Sequence, residues 1–102
     1  MKKMTAAVPY TEGLYEDLQD PREAALYLDA ALKAGDPDGI LMAMHHIAKA
    51  RSMTRMAEVI RVHRASLHRM LRRNGNPTFR TFLELLGQFE IQLSAGPRRQ
   101  AA

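Results

Sequence analysis

Three short segments separate stretches of this 102-residue chain that are long enough to form helices. Asp20-Pro21 and Asp36-Pro37 each combine a good N-cap residue with a proline at the first helical position, where its missing N–H is not needed. Asn74-Gly75-Asn76-Pro77 is a strong break, because these residue types favour turns over helix interiors. Between the breaks, apolar residues recur at spacings of three and four, which is typical of helices with one buried face. The sequence therefore predicts a compact all-α domain.

Five helices are predicted in this domain. Gly35 ends the first one, because glycine readily adopts the left-handed conformation found at helix ends. The alternating segment 90–94 predicts at most one short strand at the C-terminal side. We assign residues 1–19 to a partly ordered N-terminal arm, 20–95 to the helical domain and 96–102 to a flexible tail. Counting their caps, the helices are expected at about residues 20–35, 36–51, 54–60, 63–71 and 78–89.

Charge is sorted along the chain. Residues 1–48 hold four Lys/Arg and eight Asp/Glu, a net charge of −4. Residues 49–73 hold eight Lys/Arg and only one acidic residue, Glu58, a net charge of +7. A block of arginine on short helices is expected where a protein meets a phosphate backbone, and the same polymer would repel the acidic half. The sequence thus indicates two functions within one small domain.

Composition limits the class of protein further. The chain contains no Cys, which excludes disulfides and thiolate metal sites. Its first residues lack the apolar run of a signal peptide, and no stretch approaches the ~18 apolar residues that cross a bilayer. A cytoplasmic protein with no membrane contact is therefore expected. With three Tyr, three Phe and no Trp, the chain is poorly supplied with stacking platforms for single-stranded nucleic acid.

Residues 53–72 fit a helix-turn-helix. Two short helices cross closely only where a small residue lies between them, and Ala57 occupies that position. A sharp turn, 60–63, separates the helices. Glycine is common in such turns because the backbone favours positive φ, so we expect Arg61 to adopt that conformation at a cost of about 1 kcal/mol. The small core of the motif is predicted to contain Met56, Ala57, Ile60, Val62, Leu67 and Met70.

The second helix of such a motif lies in the major groove of DNA, with the outward residues of its N-terminal part against base edges. Arginine binds guanine in a bidentate manner, and histidine can donate or accept a hydrogen bond. The expected base-reading residues are Arg64, Ala65, His68 and Arg69. Basic side chains and helix starts are suited to phosphates, and the expected phosphate contacts are Thr54, Arg55, Arg61, His63, Arg72, Arg73, Asn76, Thr78 and Arg80.

Beyond these patterns, the chain resembles a known family over about residues 10–95. Three runs are similar to the amino-terminal half of the addiction-module antidote proteins, at 15–25, 27–32 and 35–37. Three more are similar to the Xre-type (Cro/repressor-like) helix-turn-helix of the same HigA-like antitoxins, at 47–54, 66–69 and 74–79. Arg61 and His63 stand where the family more commonly has Gly and Ser.

This resemblance implies a fold of the lambda-repressor-like (Cro/C1) helix-turn-helix type and the function of an antitoxin. Such an antitoxin binds and neutralises a RelE/HigB-like ribonuclease toxin. It also represses the shared operon by binding double-stranded operator DNA as a dimer. The acidic half of the chain would complement a small basic toxin. Four residues of the N-terminal arm either anchor that partner or pack on their own domain: Tyr10, Leu14, Tyr15 and Leu18.

No enzyme, metal site or cofactor is expected. The neighbours His45 and His46 cannot share a helical face, and His63 and His68 lack the i, i+4 spacing of a helical metal site. The acidic residues on either side of Pro37 are interpreted as helix-start residues and not as a catalytic pair. No nucleophile stands beside a base.

Two alternatives to the antitoxin remain at this point. The first is a stand-alone repressor of the phage Cro/C1 type, which has the same DNA chemistry and no toxin partner. The second is that the chain is itself the small basic ribonuclease. That enzyme needs a curved sheet, so the second alternative requires strands that the sequence pattern does not predict.

Overall fold

The computed structural model describes residues 10–98 of the chain, and the side chains of residues 13–98. Six helices and no strand occur in this part. Residues 1–9 and 99–102, which belong to the expected arm and tail, lie outside the described residues, as does the side chain of Tyr10. The helices are α1 (Tyr10–Asp17), α2 (Pro21–Ala34), α3 (Pro37–Arg51), α4 (Met53–Val59), α5 (Arg64–Leu71) and α6 (Phe79–Phe89).

The predicted helix starts are confirmed by hydrogen bonds at three N-caps. The Arg22 amide donates to Oδ1 of Asp20 over 3.0 Å, and the Gly39 amide donates to Oδ2 of Asp36 over 3.2 Å. Thr78 accepts from the Thr81 amide over 3.0 Å at the start of α6. Each bond satisfies one of the amides that a helix leaves without an intrahelical partner.

The helix ends are likewise stabilised by hydrogen bonds between residues that are close in the sequence. Gly35 ends α2 in the left-handed conformation, with φ of 77°, and its amide donates to the Ala31 carbonyl over 3.1 Å. At the break after α5, the Gly75 amide donates to the Arg72 carbonyl over 2.7 Å. A methyl group on Gly75 would overlap the Met70 carbonyl oxygen, so the close approach of two backbone segments requires glycine there.

The expectation of five helices was wrong, because residues 10–17 of the expected arm form α1. An isolated helix of eight residues is unstable in water, and its apolar pattern is too short to recognise. Tertiary packing stabilises it: Leu14 is half-buried against the core, and Leu18, just after the helix, is 2% exposed. α1 also lies against α3, which supplies the surface it needs.

The short strand expected at 90–94 does not form in the described part of the chain. An isolated strand leaves its amides and carbonyls unpaired, and residues 10–98 contain no second strand to pair with it. Ile91 instead packs on the core, and its amide donates to the Leu86 carbonyl over 2.9 Å. The same observation counts against the ribonuclease alternative, which required a curved sheet.

Helix α3 lies at the centre of the domain and contacts all five other described helices. Its residues Met44, Ile47 and Ala48 are completely buried. The large side chains that meet them from other helices are apolar, and no polar or charged residue is buried in the described core. The core therefore depends on apolar packing around one central helix, which fixes the positions of α4 and α5.

Candidate nucleic-acid interface

Helix α4 begins directly after α3, at a strained residue. Ser52 separates the two helices with φ of 97°, and its hydroxyl accepts a hydrogen bond from the Arg55 amide over 3.2 Å. The inner face of α4 is apolar, with Met53, Met56 and Ala57 at 3–5% exposure. The helix therefore presents its remaining face, including Thr54 and Arg55, to solvent.

The turn between α4 and α5 is closed by backbone hydrogen bonds. The Arg61 amide donates to the Glu58 carbonyl, and the Val62 amide donates to the Ala57 carbonyl over 3.0 Å. Arg61 has φ of 63°, the left-handed conformation expected for the position where glycine is common. Its side chain is exposed, so the strained backbone holds a cation at the surface.

The apolar residues expected between the two helices all pack on the core. Met56, Ala57 and Leu67 are buried, whereas Ile60, Val62 and Met70 are half-buried against it. The pair of helices, residues 53–71, is thus attached to α3 through its own small apolar seam. We call this pair, with its turn, the α4–α5 unit.

Helix α5 buries Leu67 and Leu71 and exposes three of the four residues predicted to read bases. Arg64, Ala65 and Arg69 are exposed, and Nη2 of Arg69 donates to the Ser66 hydroxyl over 3.0 Å. At the start of the helix, His63 is in the N-cap position but makes no side-chain capping bond. The first turn of α5 therefore has free amides that face the same solvent as its arginines.

The fourth predicted base-reading residue, His68, is half-buried and turned toward α3. Its Nδ1 lies 3.3 Å from Nε2 of His45, and the two rings meet edge to face with centroids 5.2 Å apart. One of the two rings must be neutral to accept the hydrogen bond. The contact therefore ties the outer surface of α5 to the central helix.

The neighbouring His46 faces a different set of residues, which agrees with the expectation that His45 and His46 do not share a helical face. Its Nδ1 lies 2.6 Å from the Tyr27 hydroxyl, a short hydrogen bond between α3 and α2. Tyr15 meets the same ring edge-on at 6.0 Å. These contacts connect α1, α2 and α3 through one half-buried cluster of aromatic side chains.

Partial burial lowers the pKa of both histidines below the usual 6.5. For His45, desolvation is the largest cause, followed by the positive charges of His68, Lys49 and His46. For His46, desolvation again comes first, and the charge of Lys49 adds to it. The folded protein therefore favours the neutral form of both rings.

Three of the eight basic residues in 49–73 are engaged within the domain. The Arg51 guanidinium binds the end of α6: Nη2 donates to the Phe89 carbonyl over 3.2 Å, and Nη1 lies 3.4 Å from Glu90 Oε2. The Lys49 ammonium lies 5.7 Å from the centre of the Tyr15 ring. Arg73 is 3.6 Å from Asp38, but this pair is exposed and weak.

The other five basic residues of the block are exposed, and they make the surface of the α4–α5 unit and of Arg72, directly after it, cationic. No carboxylate in the described part of the chain lies within 4.0 Å of their guanidinium groups. Beside them, an open depression with a mostly polar lining runs from Ser66 and Arg69 to the loop 74–76. Such a surface attracts phosphate groups without competition from internal ion pairs. Its arginines are Arg55, Arg61, Arg64, Arg69 and Arg72.

The remaining predicted phosphate contacts lie at the surface, and they differ in whether the domain already uses their side chains in hydrogen bonds. Asn76 and Arg80 are exposed. The Thr78 hydroxyl is exposed too, but it donates to Thr81 Oγ1 over 3.0 Å as well as capping α6.

Among the expected partner-binding residues, Leu14 and Tyr15 are half-buried and Leu18 belongs to the core. The described members of this set therefore pack on their own domain, and Leu14 and Tyr15 keep part of their surface exposed.

Sequence reasoning missed the contact between His45 and His68. The two residues are 23 positions apart, and their neighbours in the sequence give no signal of a pair. It also missed the engagement of Arg51, whose charge was counted with the cationic block. Only the position of α6 against the end of α3 shows that this arginine is used internally.

The fold and this surface define a small all-helical domain with an arginine-rich helix pair on one side. Residues 12–97 match a protein family described as "Probable addiction module antidote protein". A protein of Haemophilus influenzae, described as an uncharacterized protein, is 35% identical over 83 residues, which cover 78% of this chain and 86% of that protein. No solved structure matches the chain significantly.

The chain therefore belongs to this addiction module antidote family. The match includes α2 to α6 completely and most of α1. The described part of the chain also contains no helix long and apolar enough to cross a membrane.

The strained turn generates a prediction for stability. Arg61→Gly removes the backbone strain of the left-handed conformation, about 1–2 kcal/mol. It also increases the conformational entropy of the unfolded chain, which destabilises the fold by about 0.4–1 kcal/mol. We expect a net gain of about 0.5–1 kcal/mol in the free energy of unfolding, measured by urea denaturation. Arg61→Ala is the matched control, because it removes the same charge and keeps the strain. Equal stability of the Gly and Ala variants would contradict the inference that the backbone at residue 61 is strained.

The lowered histidine pKa values predict a pH dependence of stability. As the pH falls below about 6.5, the unfolded chain takes up protons more readily than the folded one, so the free energy of unfolding decreases. We expect His45→Gln to reduce the loss of stability between about pH 7.5 and about pH 5.5, measured by urea denaturation at both values. The control is His63→Gln, which removes an exposed ring. An unchanged pH dependence in His45→Gln would contradict the assignment.

Proposed function

We propose that this chain is the antitoxin of a type II toxin–antitoxin module. It binds its operator as a dimer through an Xre-type helix-turn-helix, the α4–α5 unit, and it neutralises a small basic ribonuclease toxin of the RelE/HigB type in the cytoplasm. The observation that carries the DNA-binding part is the set of five exposed arginines without carboxylate partners, four on one helix pair and Arg72 directly after it. Membership of the antidote family supports the toxin-binding part.

Helix α5 is the proposed recognition helix. Arg64 and Ala65 lie in its first turn and Arg69 one and a half turns later, all exposed, so they are suited to enter a major groove and contact base edges. His68 contributes through the edge of its half-buried ring. Because His45 holds that ring, the orientation of His68 is fixed before DNA binds, and little side-chain entropy is lost on binding.

The phosphate contacts surround this helix. Arg55 precedes it on α4, Arg61 lies in the turn, and Arg72 follows it, so exposed cations lie before and after the proposed recognition helix along the chain. Arg73 can leave its exposed pair with Asp38 at little cost. The remaining proposed contacts are Thr54, His63, Asn76, Thr78 and Arg80. Binding through so many cations should weaken steeply as salt concentration rises.

Exposed acidic residues on α1, on α2 and between these helices are the proposed docking surface for the toxin. Glu16 on α1 and Glu23 on α2 are exposed, and Asp20 lies between these helices. In the described part of the chain, none of the three is within 4.0 Å of a basic side chain. Complementary charge of this kind accelerates encounter with a cationic partner. DNA and toxin would then bind opposite charges on separate parts of one domain.

The roles of two arginines on α5 and at its end can be separated with DNA. Arg69→Ala should cost about 1–3 kcal/mol on the DNA upstream of the protein's own gene and leave binding to random duplex nearly unchanged. Arg72→Ala should weaken both equally and lower the salt slope by about 1. Fluorescence anisotropy over a salt series measures both effects. Equal loss of specific and random binding in Arg69→Ala would remove its base-reading role.

Toxin binding is tested by co-expression with the reading frame adjacent to the gene. We expect the two proteins to co-purify and the antitoxin to relieve growth arrest. The double variant Glu16→Lys/Glu23→Lys should associate about tenfold more slowly at low salt, measured by stopped-flow fluorescence. Glu58→Lys is the control, because it changes an exposed carboxylate on the α4–α5 unit instead. Operator binding without any co-purification would indicate a stand-alone repressor.

A further inference from the structure

Helix α6 has an exposed apolar stripe that the domain itself does not cover. Phe79 is 67% exposed and Leu83 is 42% exposed, although the opposite face of the helix buries Leu85 and Phe89 completely. Gly87 continues the stripe, since residues four apart lie on one face of a helix. We call Phe79, Leu83 and Gly87 the α6 stripe. Large apolar groups at regular spacing on a surface are typical of interaction sites.

Gly87 is not explained by the single chain. A β-carbon on Gly87 would meet no atom within 4 Å, so the domain leaves room for a side chain there. Glycine inside a helix costs about 0.5–1 kcal/mol relative to alanine. Close approach of another molecule is a common reason for glycine at such a position.

We propose that the α6 stripe is the contact between two copies of this chain, whose α6 helices pack antiparallel about a two-fold axis at Leu83. The proposal rests on the proposed function, because an operator-binding dimer needs a self-complementary surface. The α6 stripe is that surface, which the DNA-binding proposal does not specify. A second copy is the one occupant argued for here.

The spacing of the stripe makes it self-complementary. Phe79 and Gly87 are each four residues from Leu83, about 6 Å along the helix axis on either side. A two-fold axis at Leu83 therefore places Phe79 of one copy over the partner's Gly87, and the partner's Phe79 over Gly87 of the first copy. A bulky ring opposite a position without a side chain lets the two helices approach closely.

Charge beside the stripe favours the same arrangement. Arg80 and Glu84 are exposed next to the stripe, and within the described residues neither is in a salt bridge. In the antiparallel pair, Arg80 of one copy is displaced by about two residues, or 3 Å, from the partner's Glu84 along the axis. A parallel pair would instead align like charges, which is unfavourable.

The size of the contact predicts its strength. Helix α6 has 11 residues, about 16 Å, so a contact through this helix alone is smaller than the interfaces of stable complexes, which bury about 1,200 Å² or more in total. We therefore expect a dimer that dissociates at micromolar concentration. Two half-sites on one DNA duplex would raise the effective concentration of the copies and complete the dimer there.

The test measures self-association of the whole chain by analytical ultracentrifugation over a concentration series. The wild type should show a monomer–dimer equilibrium, and Leu83→Arg should weaken it at least tenfold, because it places two like charges at the two-fold axis. Leu26→Arg is the matched control, because Leu26 is 66% exposed on α2. A dimer that survives Leu83→Arg, or one that Leu26→Arg weakens as strongly as Leu83→Arg does, would overturn the proposal.

A second variant separates close packing from general apolar adhesion. Gly87→Leu adds apolar surface and improves helix propensity, so it should raise the thermal stability of the domain. If Phe79 packs over the partner's Gly87, the same variant should nevertheless weaken the dimer. A tighter dimer in Gly87→Leu would contradict this packing.

DNA binding distinguishes failure of this proposal from failure of the proposed function. Leu83→Arg should bind a fragment carrying one half of the upstream DNA site as well as the wild type, but should lose cooperative binding to the whole site. Cooperative binding that survives Leu83→Arg would overturn the α6 contact and leave the DNA-binding function intact. A dimer disrupted by Leu83→Arg in a protein with no affinity for the upstream DNA would support the contact and refute the function.

Discussion

Packing around α3 is the constraint on which the rest of the structure depends. This helix contacts every other helix in the described part of the chain, and Met44, Ile47 and Ala48 are fully buried within it. The short helices α1 and α4 are too short to be stable alone, and each becomes helical by covering a part of α3. Leu67 and Leu71 attach α5 to the same core. The cationic surface is therefore carried on a helix pair whose geometry α3 determines.

The basic residues of the chain have two kinds of role. At the end of α3, Arg51 binds the C-terminal end of α6, where a cation is favourable beside free carbonyl groups. On α4, the turn and α5, the arginines extend into solvent without carboxylate partners in residues 13–98. Sequence proximity alone placed both kinds in one block. The distinction depends on which helices meet, and it separates the basic residues that the domain already uses from those that stay available to a partner.

Much of the fold could be predicted from local chemistry. Asp20, Asp36 and Thr78 cap helices through hydrogen bonds within three residues, so the sequence near each cap contains the information needed. The left-handed conformation of Arg61 was likewise expected from its place in the turn. Helix α1 could not be predicted in this way, because its stability comes from contacts with residues more than 20 positions away.

The sequence by itself determined approximately where five of the six described helices start and stop, that the domain is helical, and where positive charge is concentrated. Those properties depend on residues within a few positions of each other. Only the tertiary structure decided that His68 turns toward His45, that Arg51 serves α6, and that Phe79 and Leu83 remain uncovered. These outcomes depend on which helix surfaces meet. Burial and long-range contacts determine that choice, and a pattern of nearby residues does not contain it.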